Sequence, residues 1–525
     1  MTPRERPGTR ATVAPVGAGP AGGGGGAPAP TPPLPPDLVD RSCWSDGDLD
    51  AARVPVEVVR LVTIGGGLAS FSLVDQLRIR GVPASAMATV TDLVEPHHRF
   101  RQYARNSQLA DTDRLRSDSA TRIDNPWGFP AYALEEAVRL RRITPVVRTL
   151  VEPVLVAHHT PTTGQVYRGV EREADRIGWA AMRRPGSAVA VRRRVGGGFF
   201  VAYRRSDDGG IAVLRADSVH LGTGHAGLRR SGAAETYRRA SGDLVRVVHA
   251  YETHEHVYRS LADLAGGTVV VQGAGITASQ VFARIADDRR RLGLATRVVQ
   301  VTRDRPPTDL ERRRPRRPFH DGMAVQPFSA PRAAFGGELQ RRRERADPEQ
   351  LRVIEELVAR PTTAPRRSWA KELGRATADG WYRHVPGEVV DIDDGGGGLS
   401  VTWEEPDGSG STVADFVVDC TGFLDPPVLP DLAAGVLGDD RPATGVAVDP
   451  AFAVVGTRDP THGGAVYISG AAAGDGPIGP RNSFWGMQEA AFRIADDLAA
   501  AGLSRRNRGA RSVRAWLRWV RNRPA

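Results

Sequence analysis

Lysine is almost absent from this chain. Lys371 is the only one, although Lys and Arg together number 71. The formal net charge of +10 is therefore arginine charge. A basic balance of that size suggests nucleic acid, but Gly, Ala, Pro and Arg are all high together. That is a compositional bias as much as a binding surface, and no nucleic-acid module occurs, so no nucleic-acid partner is expected. Cysteine is equally scarce. Cys43 and Cys420 are the only two, so a C-x-x-C dithiol centre is excluded. No apolar run approaches the roughly 20 residues of a membrane span, and the N-terminus has no apolar segment of the secretory kind. A cytoplasmic protein without a transmembrane segment is expected. His249, His254 and His256 stand close together, but a helix would point the last two apart. No metal site is expected.

What the chain does have is a pair of glycine turns. The apolar run Val58 to Ile64 meets Gly65-Gly66-Gly67, and Leu68, Phe71, Leu73, Val74 and Leu77 then fall on one helical stripe. Strand, tight turn and helix in that order form a dinucleotide-binding unit. Gly65 permits the turn, Gly67 lets a pyrophosphate approach the backbone, and Ser70 is small enough for the helix to sit on the strand. A second run, Ala88 to Val94, ends in Glu95, whose carboxylate suits a ribose and repels a 2′-phosphate.

The layout recurs. Thr268 to Gln272 leads into Gly273-Ala274-Gly275, with Ser279 in the place of Ser70, and the strand Arg297 to Thr302 ends in Arg303. Gly65 to Glu95 and Gly273 to Arg303 are both 30 residues. Arginine at that point suits a 2′-phosphate. Two sites follow: FAD first, NADP(H) second.

The fold class expected is α/β, with two Rossmann-like dinucleotide-binding domains, the second inserted in the first, and a small antiparallel meander. Residues 1–40, rich in Pro, Gly and Ala, form a disordered arm, and the fold begins near Val54. The first part of the FAD domain covers 54–245, the NADP domain with an arginine-rich insertion 246–384, and the second part of the FAD domain 385–502. A basic helix fills 503–525, with Val513, Trp516, Leu517 and Val520 on one face expected to pack on the surface. The stretch from Pro96 to Tyr132 mixes polar and aromatic residues without a period, as a cavity-lining excursion would. Within it His97 and His98 read as solvated. Short strands from Ser187 to Leu221 make the meander and run into Gly222. The strand Phe416 to Cys420 ends at Gly422. The glycine-rich segment after Val466-Tyr467-Ile468 carries Asp475.

These features in this order resemble the two-dinucleotide-binding flavoproteins over roughly residues 55 to 500, and most nearly the NADPH-dependent flavin monooxygenases. Gln108 and Asn125-Pro126-Trp127-Gly128-Phe129-Pro130-Ala131-Tyr132 are similar to two segments of the ornithine and lysine N-hydroxylases. His254 and Tyr258 match half of the flavin-containing monooxygenase fingerprint, with Val248 and Ala250 where that family has Phe and Gly. The resemblance implies an FAD- and NADPH-dependent monooxygenase that uses O2 and a flavin hydroperoxide to hydroxylate an amine or amino acid, in specialised metabolism. It implies Gln108, Arg481 and Asn482 near the flavin and substrate, Asp475 as a ligand of the FAD ribityl or phosphate region, and the backbone of Val189 or a neighbour at the adenine. A flavin reductase or oxidase without oxygen transfer, and a non-enzymatic flavoprotein, stay open beside it. The composition does not address the oligomeric state.

Overall fold

The computed structural model describes residues 34, 38, 41–115, 131–150, 159–303, 342–343, 345–359, 367–424, 432, 436, 446–460, 463–473, 482–506 and 509–525.

The strands in chain order are β1 (Cys43–Trp44), β2 (Val56–Val58), β3 (Leu61–Ile64), β4 (Met87–Val90), β5 (Arg183–Arg184), β6 (Gly186–Arg194), β7 (Phe199–Arg205), β8 (Ile211–Ala216) and β9 (Ser218–Leu221). They continue with β10 (Val247–His249), β11 (Thr268–Gln272), β12 (Arg297–Thr302), β13 (Tyr382–Pro386), β14 (Glu388–Asp394), β15 (Leu399–Glu405), β16 (Gly408–Ala414), β17 (Phe416–Asp419) and β18 (Val466–Ile468).

Two five-stranded sheets are wholly parallel. One has the order β18-β9-β3-β4-β5, the other β10-β17-β11-β12-β13. Every residue of β3, β4, β9 and β18 is buried. Such unbroken burial is what parallel strands covered on both faces require, and it explains why these segments read as apolar runs without alternation. Thr63, Thr89, Ser218 and His220 are the polar exceptions, and the two threonines satisfy one another across the ladder at 2.9 Å.

Each parallel sheet has an antiparallel companion. Strands β6, β7 and β8 form the expected meander, widened by β1 and β2 to five strands, whereas Ser218–Leu221, expected as its last strand, is β9 of the first parallel sheet. Strands β14, β15 and β16 form a second one. The Gly- and Ser-rich β16 gave no strand signal; Gly410 lies against the indole of Trp403, and a Cβ there would come within 2.7 Å of the ring nitrogen.

Fourteen α-helices connect these strands among the described residues. The ones that position the site are α1 (Asp46–Ala51), α2 (Leu68–Ile79), α3 (His98–Asn106), α4 (Ala131–Leu140), α5 (Thr144–Leu150), α6 (Thr163–Ile177), α7 (Trp179–Met182), α8 (Gly232–Ser241), α9 (Glu255–Asp263) and α10 (Ile276–Leu292). They are followed by α11 (Pro348–Ala359), α12 (Arg367–Ala378), α13 (Phe484–Ala500) and α14 (Ala510–Val520). Helix α2 packs against both α13 and α6. On the second sheet, Val257, Val281, Phe282 and Leu373 from α9, α10 and α12 close one face, while α8 and Trp403 of the second meander close the other.

The chain leaves the first sheet after β9 and returns after β17. The two crossings lie side by side. The Arg229 N–H donates to the Gly422 carbonyl at 3.0 Å, and the Leu424 N–H donates to that of Gly227 at 2.9 Å.

Four expectations are corrected here. The folded part begins before Val54: Leu34 and Leu38 are buried with Trp44, whose indole N–H donates to the Leu38 carbonyl at 2.7 Å. Residues 1–33 lie outside the described residues. The segment after Glu95 is helical (α3), hidden from a periodicity reading because Ala104 is its only buried residue. His97 is fully buried, not solvated. The apolar face of α14 is not packed away; no residue of that helix is buried.

Candidate functional site

The two glycine turns have the same local geometry. Gly65 sits at φ +90, and a Cβ on it would come within 2.5 Å of the Gly222 carbonyl oxygen. Gly273 sits at φ +115, with the Cys420 carbonyl 3.0 Å from the corresponding point. Only glycine meets both demands, left-handed backbone and close approach. Two residues on, Gly67 and Gly275 face open space, with nothing within 4 Å of a built Cβ. Each is the N-cap of its helix, at φ −79 and φ −73, and neither helix has a side-chain cap. The free N–H groups of both first turns are therefore aimed, with the positive end of the helix dipole, at open space beside a Cβ-less backbone. That is an anion cradle made twice.

Register fixes what stands opposite each cradle. The Gly65 N–H donates to the Val90 carbonyl at 3.0 Å and the Gly273 N–H to that of Val301 at 2.9 Å. Val90 and Val301 are therefore counterparts, and two residues further on Asp92 matches Arg303. The equal 30-residue intervals were misleading. Gly65 to Val90 is 25 residues and Gly273 to Val301 is 28, so the first helix-to-strand connection is three shorter. The carboxylate at the end of β4 is Asp92, not Glu95. Asp92 accepts hydrogen bonds from Ser187 Oγ at 3.2 Å and from Ser206 Oγ, both on the first meander. Glu95 is half-buried and turns instead toward His97. Arg303 is exposed, directly after β12.

Behind the first turn lies a residue that sequence reasoning missed. His220 on β9 is wholly buried, with Nε2 2.7 Å from Ser469 Oγ and Nδ1 3.5 Å from Ser70 Oγ. Burial pushes its pKa down to about 3, so the ring is neutral and ties β9, β18 and the start of α2 together. Ser70 itself is fully buried, and Gly222 leaves its hydroxyl the room it needs. Ser279, its counterpart, is buried and donates to the Ile276 carbonyl at 2.6 Å. Val189 falls at a β-bulge between Ala188 and Ala190, outside the paired register of β6 and β7.

The two units meet through an aromatic pile. Phe423 stacks on His225 at 4.1 Å and on Tyr251 at 4.3 Å, with Tyr103 edge-on to Phe423 at 5.0 Å. Thr277, in the first turn of α10, donates to the Tyr251 hydroxyl at 2.8 Å. Asn106 Nδ2 donates to the Tyr251 carbonyl at 2.7 Å. The residue after Gly422, itself at φ +96 on the return crossing, thus anchors a stack that reaches the second cradle.

Gln108 does something other than expected. It takes a left-handed conformation at φ +66, and its Oε1 accepts from Arg284 Nη1 of α10 at 2.9 Å. Its amide N–H donates to the Asn106 carbonyl at 3.2 Å. Its polar atoms are committed to latching the end of α3 onto the second unit. Asn482 is exposed beside Ser483, the N-cap of α13. Arg481 and Asp475 lie outside the described residues. His254 donates from Nδ1 to the Glu252 carbonyl at 2.8 Å, which leaves Nε2 to accept from the Tyr258 hydroxyl at 3.1 Å. That pair links the N-cap of α9 to its first turn. A cavity of about 550 Å³ opens elsewhere, lined by Arg246, Asp394 and Gly396 to Gly398, and contains no residue of either turn. No helix among the described residues is long and apolar enough to cross a membrane.

No family model and no curated protein sequence matches the chain. Solved structures do. The Kutzneria sp. 744 ornithine N-hydroxylase, solved with reduced FAD, NADP+ and L-ornithine, is 14% identical, with a TM-score of 0.59 over 85% of this chain and 99% of that one. L-lysine 6-monooxygenase from Pseudomonas syringae is 15% identical, with a TM-score of 0.58 over 84% and 99%. The reduced form of ornithine hydroxylase from Pseudomonas aeruginosa is 14% identical, with a TM-score of 0.57 over 84% and 100%. The fold is the mixed α/β, parallel-sheet fold of these flavin monooxygenases, as the order of motifs led one to expect.

Proposed function

We propose that this chain is an FAD- and NADPH-dependent monooxygenase that hydroxylates the amine nitrogen of a small molecule or amino acid. The observation that carries the proposal is the pair of matching cradles in one polypeptide, each an uncapped helix N-terminus facing open space behind a glycine that tolerates no Cβ. The near-complete coverage of N-hydroxylases by the same fold supports it.

The residues fit the two cofactors. The α2 N-terminus at Gly67 would hold the FAD pyrophosphate, Asp92 would accept from the adenosine ribose, and the bulged backbone at Val189 would face the adenine. The α10 N-terminus at Gly275 would hold the pyrophosphate of NADPH, and Arg303 its 2′-phosphate. Bound FAD would supply the redox chemistry, passing electrons from NADPH to O2 and an oxygen atom to the amine. The protein's share is to bind, orient and exclude water. Neutral His220 fixes the strand ends under the first cradle without placing a charge there. The pile of Tyr103, Tyr251, Phe423 and His225 supplies dry, rigid walls where the two units face one another. Gly65, Gly222, Gly273 and Gly422 provide the turns, and Ser70 and Ser279 the close helix contacts. We place the second unit, residues 246–384, as an NADP domain inserted in an FAD domain of 54–245 and 385–502.

The test is spectroscopic. The purified protein should be yellow, bleach on addition of NADPH, and consume O2 in step with product when a diamine or basic amino acid is present, with little peroxide released. Stoichiometric peroxide with every amine tried would favour a reductase or oxidase. A colourless protein that takes up no FAD would end the proposal.

A further inference from the structure

The shift of the strand-end carboxylate to Asp92 leaves Glu95 without a nucleotide to bind, and the structure shows where it goes. Glu95, His97 and Glu171 converge at the junction between the loop after β4 and helix α6. His97 Nε2 lies 3.3 Å from Glu171 Oε1 and 3.6 Å from Glu95 Oε2. One donor atom from each of the three residues lies within 4.8 Å of the other two.

Three observations separate this cluster from an ordinary surface ion pair. First, His97 is fully buried, and neither ring nitrogen has a hydrogen-bond partner among the described residues. A buried imidazole with both nitrogens unsatisfied costs free energy unless something occupies the position it faces. Second, the spacing is wrong for hydrogen bonds and right for shared coordination. A charge-assisted N–H to carboxylate bond is about 2.7–2.9 Å long. Two ligand atoms each about 2.1 Å from one tetrahedral cation stand about 3.4 Å apart, which falls between the two distances seen. Third, the ring is held in place from behind. It stacks on Tyr167 at 5.2 Å, on the same helix as Glu171. The charges also suit a dication. Two carboxylates face the centre, and Arg101 is 4.0 Å from Glu171 Oε1 with its guanidinium 5.4 Å over Tyr167.

We propose that Glu95, His97 and Glu171 bind a divalent transition-metal cation, zinc being the best match to one nitrogen and two carboxylate oxygens. With three protein ligands, the fourth position falls to water. Because its ligands come from the loop after β4 and from α6, the cation fastens the start of α3 to the first unit. This site is separate from the flavin reading and stands or falls without it.

Isothermal titration of the EDTA-treated full-length protein with zinc chloride tests the site. The wild type is expected to bind one equivalent with micromolar or tighter affinity, and its Tm to rise by a few degrees in zinc. Glu171→Gln and Glu95→Gln are expected to weaken binding at least tenfold, and His97→Gln to abolish it. Glu171 is a half-exposed side chain, so its variant remains informative if the His97 variant fails to fold. Absence of a one-equivalent zinc isotherm in the wild type overturns the proposal. So does binding that Glu171→Gln and Glu95→Gln leave unchanged, because it then belongs to groups elsewhere on the protein.

Discussion

The two glycines of the first turn, two residues apart, should fail in opposite ways when each is changed to alanine. At Gly65 the methyl group would meet the Gly222 carbonyl oxygen at 2.5 Å, on a backbone at φ +90. Left-handed backbone costs a residue with a Cβ about 1–2 kcal/mol. Pushing the carbonyl just past the end of β9 back by about half an ångström adds about 1–3 kcal/mol, as overpacking does. A loss of roughly 3 kcal/mol corresponds to a Tm lower by about 3–5 °C in a chain of this size. At Gly67 the methyl group meets nothing within 4 Å, and φ is −79. There the fold should lose no more than about 0.5–1 kcal/mol, the weaker N-cap preference of alanine. The methyl group, however, enters the cradle. Displacing a phosphate from one or two N–H groups forfeits about 2–4 kcal/mol of charge-assisted hydrogen bonding, or about 30- to 700-fold in FAD affinity. The assay pairs thermal melts of the apoproteins with FAD titration by flavin fluorescence. Gly65→Ala should melt early, and Gly67→Ala should melt almost normally yet bind FAD poorly. Unimpaired FAD binding by Gly67→Ala, or a wild-type melt for Gly65→Ala, would refute this account of the turn.

Further outcomes follow from the same geometry. Arg303→Ala should weaken NADPH about 10- to 100-fold and leave NADH unchanged, as measured by flavin reduction rates with each nucleotide; equal losses for both would remove the 2′-phosphate role. Asp92→Asn should lower FAD retention while Glu95→Gln does not, and the reverse order would restore Glu95 to the ribose. His220 should make the fold acid-sensitive. Its pKa falls from an unfolded value near 6.5 to about 3 on burial, so the unfolded chain binds the proton more tightly, and stability declines as pH drops through that window. By pH 5 this amounts to about 2 kcal/mol, to be read as the shift in urea midpoint between pH 7 and 5 relative to His220→Asn.

The features written in local chemistry were legible in the sequence. Glycine pairs, apolar runs and the repeated layout located β3, β11, β12, β17 and β18, because parallel strands buried on both faces leave an unmistakable composition. What escaped was set by relations across the fold. The equivalence of Asp92 and Arg303 depends on a ladder register and on a helix-to-strand connection three residues shorter, which counting from the glycines cannot detect. Helix α3 has one buried residue and hence no stripe. Strand β16 is specified by the indole of Trp403 and by β15, not by its own propensity. His97 looked solvated beside His98, and only the packing of Tyr167 and Glu171 against it shows otherwise. For Gln108, the Arg284 that claims its amide is 176 residues away in sequence.

The paired crossings at 227–229 and 422–424 have a practical corollary. Because Gly227 and Leu424 are joined by a 2.9 Å hydrogen bond, everything between them could be replaced by a short hairpin turn without stretching the remaining chain. The excised piece would likewise have neighbouring ends. Gene fragments cut at those two points would make separate minimal proteins, one to be assayed for flavin alone and the other for the nicotinamide partner alone.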